Sequence, residues 1–96
     1  MLLAAIPTLD AILEAHARDL GADFTAYRNH TFRIANLCAV HAARSDAETI
    51  EKIAIAAAFH DLGIWTDRTF DYLAPSIALA TRYLAETGHA GWTEEI

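Results

Sequence analysis

The chain has 96 residues, enough for one small domain with a modest core. Thirteen acidic residues against seven basic give a formal charge of −6, which excludes the basic face of a nonspecific nucleic-acid binder and the polybasic anchor of a membrane-surface protein. Hydrophobic residues make up 54% and mean hydropathy is +0.19, a balance that leaves apolar surface for another subunit or further chain to cover. A homo-oligomer formed through such an exposed apolar face is therefore expected. The single cysteine, Cys38, has no partner for an internal disulfide and reads as a small core residue.

At the N-terminus, MLLAAIPTLD has no positive region, and Pro7 interrupts a run too short to span a bilayer. No membrane partner is expected, and a cytoplasmic location is. Thr8 is a plausible N-cap for a first helix over Leu9–Leu20, closed by Gly21. Leu9, Ile12, Leu13, His16 and Leu20 share one face of it. Asp23 then caps a second helix from about Phe24 to Ala43. Along it, Phe24, Tyr27, His30/Thr31, Ile34, Leu37/Cys38 and His41 trace the 3.6-residue period and turn His30 inward.

Ser45 with Glu48 three residues later makes a capping box, so a third helix begins near Asp46. From Ile50 to Leu62 it is apolar almost all round, the mark of a central helix, and Gly63 is its expected stop. Ile64–Ala74 lacks a clean period and reads as a structured loop. Pro75 and Ser76 open a fourth helix that runs to Glu86 and ends at Gly88. Trp92 and Thr93, followed by Glu94 and Glu95, announce a fifth helix near the end of the sequence. The expected architecture is all-α, a single domain over 1–96 of four helices and the start of a fifth, C-terminally incomplete.

His30 lies 14 residues before Arg44 and His60 lies 14 after Asp46. If the second and third helices form an antiparallel hairpin between those points, both arms are about 21 Å long and the two imidazoles arrive at one level. Asp61 follows His60 near the end of its helix, where a carboxylate can swing beside its neighbour's ring and the helix terminus favours a cation. Two imidazoles and a carboxylate suit Mn, Fe, Co, Ni or Zn better than Ca. Two inward histidines at matched depth also fit a hydrogen-bonded pair inside a core, and spacing alone leaves both readings open.

Tyr27-Arg28-Asn29-His30 together with Phe59-His60-Asp61-Leu62-Gly63 resembles the HD-domain superfamily of metal-dependent phosphohydrolases, over roughly Phe24 to Leu84. The resemblance implies an HD-domain-like helical bundle, of which this sequence is an N-terminal portion. It also implies His30, His60 and Asp61 as metal ligands, with Asp61 placed to bridge two ions and to take the catalytic role. The family's closing Asp comes from a later helix; Asp67 or Asp71 would have to substitute for it. The activity implied by the resemblance is that of a phosphohydrolase with a metal-activated water, acting on a nucleotide or other small phosphate ester. The alternative is a non-catalytic regulatory or dimerisation module that retains the fold. Related bundles with the same ligand types also host iron-dependent oxygenases. Arg28, Arg33 and Arg68 are candidates to hold the substrate phosphate, against the commoner role of solvated or salt-bridged arginines. His41 reads as structural, His89 as exposed, and Trp65 and Trp92 as core or interface anchors.

Overall fold

In the computed structural model, which describes residues 5–42 and 46–96, all regular structure is helical. The helices are α1 (Pro7–Ala15), α2 (Ala17–Leu20), α3 (Phe24–His41), α4 (Ala47–Phe59), α5 (Gly63–Thr66) and α6 (Leu73–Glu86), with 3-10 turns at Gly21–Asp23 and Ala90–Trp92. The four long ones correspond to the four expected, and α4 lies at the centre, against α1, α3 and α6. Among the described residues, no helix is long and apolar enough to cross a membrane.

The first helix departs from the expected continuous span. Pro7 occupies its first position, where a missing N–H costs nothing, so Thr8 lies inside the helix rather than capping it. The chain breaks at His16 (φ −111°, ψ 16°) and resumes as α2, which Gly21 closes with φ +53°. Asp23 stands at the N-cap of α3 without capping it; its carboxylate accepts the Trp65 indole N–H at 2.9 Å instead. The expected Ser45 capping box falls outside the described residues. Asp46 starts α4, its carboxylate accepting the Thr49 N–H at 2.8 Å.

Gly63 is not a helix stop. The α4 helix ends at Phe59, turns through His60–Leu62, and re-enters a short helix at Gly63, so Ile64–Thr66 are helical rather than loop. What requires glycine is proximity: an added Cβ would lie 2.6 Å from the Tyr72 carbonyl oxygen and 2.8 Å from Ser76 Oγ. The start of α6 packs against the Gly63 backbone, and Ser76 Oγ accepts the Gly63 N–H at 2.9 Å. The α6 helix also begins two residues early, at Leu73; Pro75 sits within its first turn, where no intrahelical N–H bond is lost. At the C-terminus the expected fifth helix is a 3-10 turn, with the Thr93 hydroxyl donating back to the Ala90 carbonyl at 2.6 Å.

Burial explains these choices. Ala54, Ile55, Ala57, Ala58 and Phe59 are all buried, so the second half of α4 is enclosed except at the half-buried Ala56, and its alanines let neighbouring helices approach closely. The core is completed by Leu9, Ile12 and Leu13 from α1, Leu20, Leu62 and Leu84. On α3 the buried positions step by four, through Tyr27, Thr31 and Ala35. Leu37 stands about 200° round the helix from Ala35 and is 57% exposed, as Val40 is at 50%. Cys38 is exposed too, which corrects its reading as a core residue. His41 faces solvent, and His89, expected exposed, is half-buried with its ring stacked on Trp92 at 4.0 Å.

Candidate metal centre

The two arms of the α3–α4 hairpin do bring His30 and His60 to one level. Their Nε2 atoms lie 3.3 Å apart. Asp61 Oδ2 is 3.0 Å from His60 Nε2 and 3.8 Å from His30 Nε2. A triangle with these sides has a centre about 2 Å from each corner, the length of a zinc–nitrogen or zinc–oxygen bond. Among the described residues this is the one group of three or more potential ligands that meets at a point.

Local structure fixes the ligand atoms. His60 directs Nδ1 at the Ala57 carbonyl oxygen, 2.6 Å away, and a carbonyl can only accept. The network therefore assigns the proton to Nδ1 and leaves the Nε2 lone pair facing His30 and Asp61, the tautomer a metal ligand needs. Because α4 ends at Phe59, its last carbonyls are taken up locally, Ala57 by the His60 ring, Ala58 by the Tyr27 hydroxyl and Phe59 by the Leu62 N–H, which ties the turn carrying His60 and Asp61 to the helix end. Asp61 Oδ1 has no protein partner among the described residues.

Tyr27 holds the turn from behind. Its hydroxyl donates to the Ala58 carbonyl at 2.8 Å and accepts the Asp61 N–H at 3.3 Å. Its ring lies nearly parallel to His60, 17° between planes and 6.3 Å between centroids, and against Trp65 at 4.7 Å. Burial pushes the phenol above the ordinary tyrosine range, so it stays neutral and keeps its proton for Ala58. The clamp is the part that sequence reasoning misses. A signal exists: a tyrosine three residues before an inward histidine shares its face, and a buried hydroxyl requires a partner.

Comparison with family models, curated proteins and solved structures returns no match.

The other candidate residues lie apart from the triad. Arg28 is engaged by Asp10 of α1, Nε to Oδ1 at 2.8 Å and a second bond at 3.4 Å, and lies over the Phe32 ring. Arg33 is exposed one turn beyond His30 on α3, and Arg68 is exposed in the α5–α6 connection with φ +54°. Neither has a carboxylate partner among the described residues. Asp67 and Asp71 are exposed and outside the group; Asp67 accepts the Thr66 hydroxyl at 3.0 Å. His60 is also one of the residues that line a groove between α4 and α6.

Proposed function

We propose that the chain is a metal-dependent phosphohydrolase of the HD type that acts on a small phosphate ester, with His30, His60 and Asp61 holding a divalent transition metal (Mn, Fe, Co, Ni or Zn). The observation that supports this most is the spacing of the three ligating atoms, all within 4.8 Å of one another, with the His60 tautomer set by Ala57. Such an ion lowers the pKa of a bound water and polarises a phosphoryl oxygen. The chain's own part is to aim the groups around it. Asp61 Oδ1 is left to orient the attacking water, and Arg33 and Arg68 are exposed to take phosphate oxygens. Arg28 would have to leave Asp10 first, so it ranks last of the three arginines.

The test is metal content of protein purified without chelator, and after loading with Mn, Co or Zn, in wild type, His60→Ala and Asp61→Ala. About one ion per chain in wild type and a loss in both variants, with phosphatase activity following the metal, is the expected result. Equal uptake by all three proteins, or none by wild type, ends the proposal. A second reading, a non-catalytic helical module that self-associates, is favoured by the exposed Leu37, Val40, Phe70, Leu73 and Ile77. It predicts a dimer in sedimentation that persists when metal and activity are absent.

A further inference from the structure

The groove between α4 and α6 has a volume of about 230 Å3, and the His60 ring is its one feature shared with the triad. Phe59, Leu73, Ile77, Leu84 and Ile96 line it, and no Asp, Glu, Lys or Arg side chain does. Three hydroxyls reach it, and each is already engaged. Thr81 donates to the Ile77 carbonyl at 2.8 Å and Thr93 to the Ala90 carbonyl at 2.6 Å. Ser76 Oγ, on a side chain 3% exposed, accepts the Gly63 N–H at 2.9 Å. The groove therefore offers hydrocarbon, one histidine and a single uncommitted hydroxyl proton.

That surface discriminates between ligands. A nucleobase brings several polar atoms on its edge, and each left unpaired on leaving water costs about 1–3 kcal/mol. A phosphate needs a cation or several N–H donors, and the groove supplies neither. An apolar group meets no such penalty and gains its transfer free energy. The size fits a compact group, since an apolar cavity of about 150 Å3 accepts benzene.

We propose that this groove is the subsite for the organic body of the substrate, and that this body is uncharged and apolar, a single aromatic ring or a short branched alkyl chain. The assignment rests on reading the triad as the reacting end of the site, and it narrows the substrate to phosphate esters of aryl or alkyl alcohols. In the reaction, water adds to phosphorus, the P–O bond to the alcohol breaks, and the water's proton ends on the departing alcohol oxygen. The alcohol leaves through the groove.

The first measurement uses chelator-treated full chain and benzyl alcohol as probe, read by methyl NMR. Saturable shifts are expected at the Ile77, Leu84 and Ile96 methyls, with none of them moved by AMP. Ile77 is 56% exposed, so Ile77→Lys leaves the fold intact while placing a charge in the groove; it is expected to weaken benzyl alcohol binding about tenfold. Ala80→Phe, which fills the groove, is the second variant. The next measurement compares kcat/KM for benzyl phosphate and AMP in the Mn-loaded chain, where a preference of at least about tenfold for benzyl phosphate is expected. That preference should shrink in Ile77→Lys at unchanged metal content. Methyls unmoved by benzyl alcohol, or AMP hydrolysed as well as benzyl phosphate, overturn the proposal. Benzyl alcohol bound without any metal uptake upholds the groove as an apolar site and overturns the triad reading instead.

Discussion

The helices α3 and α4 each bring one imidazole to the same point, but they hold it differently. The second half of α4 is buried on all but its Ala56 side, and His60 is fixed by the Ala57 carbonyl and by the Tyr27 ring beside it. The α3 helix buries one stripe and turns Leu37 and Val40 outward; its His30 side chain is 49% exposed, with His60 and Asp61 as its polar partners. One imidazole is thus placed by the core and the other by its neighbours. A metal centre on these residues, as proposed, would have a rigid half that sets geometry and an adaptable half able to follow an incoming ion.

The contrast breaks most visibly in stability. Phe59→Ala on α4 should cost about 3–5 kcal/mol in urea unfolding, because it empties an enclosed site. Val40→Ser on α3 should stay within about 0.5 kcal/mol, since that side chain already meets water. Comparable losses in the two variants would show that α3 is buried in solution and that the asymmetry is false.

Tyr27→Phe comes next. It keeps the ring and leaves the Ala58 carbonyl and the Asp61 N–H without their partner, for a loss of about 1–3 kcal/mol. Metal affinity should fall about 10–100-fold, because the variant frees the turn that aims Asp61. Unchanged affinity by competition titration would mean that the clamp serves the fold alone. His30→Ala should be nearly silent in the metal-free protein, within about 0.5 kcal/mol, yet abolish the thermal shift that added Mn or Zn gives wild type. A metal-free protein strongly destabilised by this change would make His30 a core residue after all.

The smallest effect is at the C-terminal turn. The Glu95 carboxylate, 2.9 Å from Lys52 Nζ, is the main cause that raises the Lys52 pKa, with Glu48 adding to it. A raised folded-state pKa means that the contribution is complete below the unfolded value of about 10.4 and fades as pH climbs through the folded one. Lys52 also sits 5.1 Å above the Trp92 ring, so Trp92 fluorescence should report a loosening above about pH 10.4. Lys52→Met should lack it, and the same titration in both proteins would remove the link.

The main lines of this fold are legible in periodicity and punctuation. The matched 14-residue arms put His30 and His60 at one depth because helix rise is constant, whatever surrounds it. Gly63 reads as punctuation because a glycine after an apolar run ends many helices; only the approach of Tyr72 and Ser76, set by tertiary packing, reveals its use. A 3.6-residue period places Cys38 inside, whereas the contact face of α3 steps by four and carries it outward. The break at His16 has no glycine or proline to mark it. The role of Arg28 depends on Asp10, 18 residues earlier, a pairing no local pattern encodes.

Tyr27 reaches Ala58 and Asp61 across 31 and 34 residues of chain, so the turn that aims the carboxylate is completed by a helix formed much earlier in the sequence. Until those two segments dock, His60 and Asp61 belong to a fraying end with no fixed direction. The side-chain cluster is accordingly a late product of folding: an ion held there, as proposed, would find a finished cradle and act as a brake on unfolding rather than as a template for assembly.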